Sequence, residues 1–241
     1  MTSRSAALFL ATLAAFTASS IGAQNRPAAP RTPRIYVFEG GSIKMLDPKP
    51  FNFTREELKQ TDFVVTSYLI VHPRGALMFD SGVIPDAAFK GDGNPVTQGG
   101  MSATKAERDA MFADKPQGFI QPAHFSALRD AKTRILDNED FDVFGDGTVV
   151  VKSAPGHTPG HQVVFVKLAK TGPVVLGGDL YHYPEERTTG RIPITLEFNA
   201  DQSRAARAKI EAFLKEMRAQ LWIEHDIATH AELPKAPAYV D

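Results

Sequence analysis

Between positions 34 and 80 the chain alternates short runs of β-branched and aromatic residues with tight polar turns. Arg34-Ile35-Tyr36-Val37-Phe38 reads as a first strand, ended by Gly40-Gly41. The run 63–71 (FVVTSYLIV) is a longer strand, Pro73-Arg74-Gly75 turns it, and 76–79 returns as far as Asp80. Apolar runs bounded by Gly and Pro predict hairpins. The pattern recurs: 162–168 runs out, Lys170-Thr171-Gly172 turns, and 173–176 runs back to Gly177-Gly178-Asp179. Residues 148–152 form the strand before this hairpin. Helical periodicity is clearest over 203–218, where Ala206, Ile210, Phe213, Leu214 and Met217 make one apolar stripe. Asn199 or Asp201 is placed to cap it. Weaker helical patterns lie at 105–112 and 123–132, and 220–224 reads as a short buried strand. Hairpins followed by an isolated helix predict layered α/β structure rather than a doubly wound parallel sheet.

The N-terminus changes that picture only at its margin. Arg4 precedes an apolar core at 7–16, and Ile21-Gly22-Ala23 supplies small residues for cleavage. This predicts a secretory signal peptide over 1–23, too short to span a bilayer. A disordered lead-in over 24–33 follows, then one domain over 34–241. The expected location is secreted or periplasmic, with no membrane anchor after cleavage. A net charge of −1 with interspersed signs gives no footing for nucleic acid. The absence of cysteine excludes disulfides, thiol catalysis and any sulfur-ligated metal.

Candidate chemistry gathers at the strand ends. Pro155-Gly156-His157-Thr158-Pro159-Gly160-His161 follows one strand, Asp179 ends the next apolar run, and Glu224-His225-Asp226 ends a third. Proline stiffens such a loop and glycine permits close backbone approach, so an imidazole is presented at a fixed place. Each feature also has a plain structural reading: a Gly/Pro turn with capping histidines, a carboxylate capping its own turn, a loop histidine paired with Asp226. Asp80, before Ser81-Gly82, is expected to brace loops rather than to ligate. Together, imidazole and carboxylate at neighbouring strand ends suit a divalent metal such as zinc.

These motifs, in this order, resemble the metallo-β-lactamase superfamily, specifically its N-acyl-homoserine lactonase-like branch, over most of 34–241. The resemblance implies an αββα sandwich with metals at one edge of the paired sheets. It implies that His157 serves the first metal, that Asp179 bridges two, and that His225 serves the second. His161 matches a position that is usually not a ligand. Tyr181 is the expected substrate-contacting catalytic residue, with His182 the alternative at an uncertain offset. The implied reaction is ring opening of a lactone or ester substrate by metal-bound hydroxide.

The sequence also departs from this family. Members carry His-x-His-x-Asp-His downstream of the Asp80 strand end, whereas no histidine occurs here between His72 and His124. A strand, the motif and a helix are expected to be missing near 98–104, so the sandwich should be incomplete. Each metal then keeps one histidine and a share of Asp179, fewer than the three protein ligands a catalytic zinc normally has. Zinc occupancy and turnover are expected to be reduced or lost. A single ion on His157, Asp179 and His225 is the chemically acceptable remainder. His124, His161 or His182 could substitute as ligands, but each is expected at the surface. An uncovered sheet face would favour a homodimer. The alternatives are an inactive remnant or binding protein on the same scaffold, and a serine hydrolase, which lacks its Gly-x-Ser-x-Gly elbow.

Overall fold

The computed structural model describes residues 29–44, 47–80, 100–115, 118, 120–193 and 195–241. The expected signal peptide, the lead-in up to residue 28 and the stretch 81–99 lie outside the described residues. Ten strands and four α-helices follow in chain order among the described residues.

β1 (Arg34–Ile43), β2 (Phe63–His72) and β3 (Gly75–Phe79) form one antiparallel sheet. Gly40-Gly41 does not end β1, as the sequence suggested. The register slips between Glu39 and Gly41, and pairing resumes as far as Ile43 opposite Phe63. Gly41, at φ 124°, absorbs the extra residue in a conformation that side chains resist, so the glycines make a bulge instead of a stop.

The second sheet runs in the order β10-β9-β8-β7-β6. Its strands are β6 (Phe141–Asp142), β7 (Val149–Ser153), β8 (Gln162–Lys167), β9 (Pro173–Leu176) and β10 (Gln220–Trp222). β8 runs antiparallel to both β7 and β9, and β10 is parallel to β9. β7, β9 and β10 therefore end at the same edge, which is where the Pro-Gly-His loop, Asp179 and His225 follow.

The two sheets face each other across a core of Ile35, Val37, Tyr68 and Ile70 from the first and Val149, Val164, Val174, Leu176 and Trp222 from the second. On the other side of the second sheet, Val163, Phe165 and Val175 meet Ala206, Ile210 and Leu214 of helix α3. Burial on both faces explains why β8 reads as an unbroken apolar run. α3 (Ala200–Met217) begins at Asn199, whose side chain accepts the Asp201 and Gln202 backbone N–H groups, the cap foreseen from the sequence.

The 123–132 pattern is resolved differently. It forms a 3-10 helix, Pro122–Leu128, and then β5 (Lys132–Leu136), which pairs in parallel with β4 (Gly100–Thr104). α1 (Lys105–Met111) follows β4 with Thr104 as its cap. Two six-residue helices, α2 (Pro184–Thr189) and α4 (Ile227–Glu232), were not foreseen. The outer face of the first sheet exposes Phe38 (40%) and Met78 (44%). Among the described residues no long helix covers it, so within those residues the αββα sandwich lacks a layer on that side. No helix of the described residues is long and apolar enough to cross a membrane.

Candidate metal centre

His157, Asp179 and His225 meet at the shared strand edge. The loop carrying His157 is clamped from outside, since Asn199 N–H donates to the Gly156 carbonyl at 2.9 Å and Phe198 N–H to the His157 carbonyl at 3.1 Å. Gly156 sits at φ 147°, and a Cβ there would lie 2.4 Å from the Ser203 nitrogen. Only glycine lets the loop pass the start of α3 this closely. His225 stacks on Phe63, ring centres 4.7 Å apart, and donates from Nδ1 to the Val64 carbonyl at 2.8 Å. This bond fixes the ring so that Nε2 faces Asp179 Oδ1 at 2.8 Å. His157 Nε2 approaches Asp179 Oδ2 at 3.3 Å. Two imidazoles from two strand ends thus converge on the carboxylate of a third. Asp226, by contrast, does not pair with His225; it caps α4 through the Ala228 N–H.

Electrostatics binds this group. Burial disfavours the charged form of Asp179, but His157 and His225 overcome it and hold the carboxyl well below its usual range. Burial likewise opposes the His157 imidazolium, yet Asp179 and Glu197 outweigh it and hold the pKa up at about 10. At the same edge, burial and the neighbouring Asp80 push the Glu224 carboxyl up to about 12.

His161 is placed to position rather than to ligate. Its Nδ1 donates to the Ala154 carbonyl and its Nε2 accepts the Asp179 backbone N–H, both at 3.1 Å. Burial and the nearby His157 push its pKa down to about 4, keeping it neutral. His124 is exposed.

Tyr181, expected to contact substrate, has its hydroxyl donating to Glu211 of α3 at 3.1 Å, with Arg207 over its ring. The surface expectation needs correction for His161, which is half-buried against Asp179, and for His182. The expected surface residue His182 is instead buried at 4% exposure. Its Nδ1 bonds Glu186 Oε1 at 3.2 Å, while Arg207 binds the other Glu186 oxygen at 2.6 Å. That leaves His182 Nε2 facing Asp179 Oδ1 at 4.0 Å.

Glu197 was missed altogether. It lies between α2 and α3, where nothing in the local pattern sets it apart. Its side chain is 1% exposed, with Oε1 3.9 Å from His157 Nδ1. Oε2 accepts from the Ser203 hydroxyl at 2.5 Å. Neither Glu197 Oε1 nor His157 Nδ1 has a hydrogen-bond partner, although both are buried. One donor atom from each of His157, His182 and Glu197 lies within 4.8 Å of the others. Orphaned buried oxygen and nitrogen atoms beside tautomer-fixed imidazoles fit a borderline divalent cation such as zinc. A cleft of about 420 Å³ opens beside His225, with Lys59, Asp62, Tyr183 and Ile227 among its walls.

Facing sheets with imidazoles and carboxylates at one edge are the metallo-β-lactamase fold, and the comparisons with solved structures agree. A quorum-quenching N-acyl homoserine lactone hydrolase superposes with a TM-score of 0.71 at 18% identity, covering 88% of this chain and 100% of its own. AidC, described as a dizinc quorum-quenching lactonase, superposes at 0.62 with 16% identity, covering 87% of this chain and 94% of its own. By sequence, the chain is similar to the N-acyl homoserine lactonase AttM of Azorhizobium caulinodans, 33% identical over 101 residues. That match covers 42% of this chain and 38% of the relative, so the chain spans well under half of the AttM length. An N-acyl homoserine lactonase of Bacillus sp is 22% identical over 251 positions, covering 86% of this chain and 98% of the relative. No protein-family model matches. The fold is that of the metallo-β-lactamase superfamily, and the relatives lie in its lactonase-like branch.

Proposed function

We propose that this protein is a metal-dependent hydrolase that opens a lactone or related ester ring. The observation that carries the reading is Asp179 in contact with His157 and His225 at the sheet edge of a lactonase-like fold. His157, Asp179 and His225 would hold the metal, zinc being suited to this donor set. When bound, such an ion supplies Lewis acidity and lowers the pKa of water.

The chain's own residues then do the following. Phe63, stacked on His225, keeps one side of the site dry, and Phe51 packs edge-on to His182 with ring centres 5.0 Å apart. The cleft beside His225 admits the substrate. With its carboxyl held low, Asp179 is an acceptor at neutral pH. Ring opening consumes one water: its oxygen bonds to the carbonyl carbon, the C–O bond to the ring oxygen breaks, and the proton the water loses ends on that ring oxygen. Export by the N-terminal segment belongs to the same reading, and the N-terminal mass of the protein recovered from culture medium or periplasm tests it.

The decisive assay follows proton release on ring opening of an N-acyl homoserine lactone by the zinc-loaded protein. Turnover that is lost with a chelator, and about 100-fold or more lower in His225→Ala, supports the reading; a rate no higher than buffer overturns it. The absence of the His-x-His-x-Asp-His pattern favours a second reading, a scaffold that binds such a ligand without turning it over. Saturable lactone binding by a zinc-loaded protein that shows no turnover would select it.

A further inference from the structure

We infer that His182 and Glu197 join His157 as direct ligands of a single divalent metal, a His₂-carboxylate site rebuilt from residues outside the set that the family resemblance implies. The inference deepens the hydrolase reading of the same site but rests on different residues.

Four observations support it. The three side chains already place donor atoms within 4.8 Å of one another. Glu197 is 1% exposed, and its Oε1 is aimed toward His157 with no hydrogen-bond partner. A buried carboxylate oxygen with an imidazole 3.9 Å away and no hydrogen bond is under-satisfied, and a cation between the two groups would satisfy it. The third observation is His182, whose Nδ1 is occupied by Glu186, itself fully buried and held by Arg207. This carboxylate–imidazole arrangement leaves Nε2 as the free donor, as at metal-bound histidines. Finally, Ser203 holds the far oxygen of Glu197 and fixes the rotamer of that carboxylate.

The donor types suffice for zinc. Two imidazoles and one carboxylate hold a catalytic zinc and leave a position open. Bonds of about 2.1 Å put tetrahedral donors roughly 3.4 Å apart, so small side-chain rotations close the present spacing. Asp179, on the other side of His157, then serves as a neighbouring acceptor. Ligands lost with the upstream motif are in this way replaced from the segment between β9 and α3.

The test uses the full folded chain. Zinc affinity and stoichiometry are measured by competition with a chromophoric chelator, for the wild type, His182→Gln and Glu197→Gln. One zinc per chain, with at least a tenfold loss of affinity in each variant, is the expected result. Unchanged affinity in both variants overturns the inference while leaving the hydrolase reading intact. A wild type that retains no zinc overturns both. Zinc held through His182 and Glu197 in a protein that opens no lactone supports the inference and overturns the hydrolase reading.

A second measurement separates ligation from damage to the fold. The chain has no cysteine, so His182→Cys introduces a single thiol. Loading that variant with cobalt or cadmium should produce a thiolate-to-metal charge-transfer band. Bound metal without the band overturns ligation at position 182.

Discussion

Neighbouring residues in the segment after Asp179 have opposite fates, and backbone geometry explains why. Tyr181 is extended, at φ −140° and ψ 141°. Successive side chains of extended backbone point to opposite sides. Tyr181 therefore turns into the core with α3, and His182 turns toward Asp179. The sequence offered both positions, and in extended backbone one residue decides which side is reached. Tyr181→Phe should therefore leave zinc affinity unchanged and cost about 1 kcal/mol for the Glu211 hydrogen bond; chelator competition and urea melts check both. His161 should behave otherwise. His161→Ala leaves the Asp179 N–H and the Ala154 carbonyl unpaired, and it should cost about 1–3 kcal/mol in urea melts. His157, Asp179 and His225 could be read from the sequence because each follows an apolar strand. Glu197 could not, because its role comes from the fold of a connecting segment.

Long strands and the one long helix among the described residues were legible at the scale of elements, because β2 and β8 are nearly continuous buried runs and α3 buries one periodic face. The short helices α2 and α4 and the parallel pair β4–β5 were not: six residues carry too little periodicity, and pairing between distant segments leaves no local mark. Close contacts between elements are equally silent, and two of them are open to test. The loop after β7 meets α3 at Gly156, so Gly156→Ala should force loop and helix apart. Expected are a loss of stability of about 3 kcal/mol or more in denaturant melts, from strain and overpacking together, and weaker zinc binding in competition titrations. The second contact is Glu57, which bonds Arg191 at 2.6 Å and the Thr54 N–H at 2.8 Å. Arg191 foremost, then the Thr54 N–H, lower its pKa from 4.5 to about 2. A depressed folded-state pKa adds stability above 4.5 that is lost as the pH falls toward 2. Glu57→Gln should flatten that part of the acid limb of a melting-temperature profile, and an unchanged acid limb would refute the coupling.

At the scale of the whole molecule, the strand edge that carries His157, Asp179 and His225 is where the layers are tied together. His157 follows β7, His225 follows β10, and His225 is held to β2 of the opposite sheet through Val64. Glu197 connects to α3 through Ser203. At this junction Asp179 pairs with two imidazoles, while Glu197 Oε1 and His157 Nδ1 have no hydrogen-bond partner. The alignment with the Bacillus lactonase contains more positions than this chain contributes, consistent with a relative that carries a segment this chain lacks. An ion held at this edge should add to the stability of the protein. An ion that binds only the folded state at 100 times its Kd adds about 2.7 kcal/mol. For a domain of this size, that is a rise in melting temperature of roughly 5–10 °C. Thermal melts with saturating zinc and with chelator should show this shift in the wild type. His157→Ala should abolish it, since His157 belongs to both of the ligand sets proposed above. A wild-type shift that survives in His157→Ala would mean that zinc acts elsewhere on the molecule, and that the strand edge is held by its ion pairs alone.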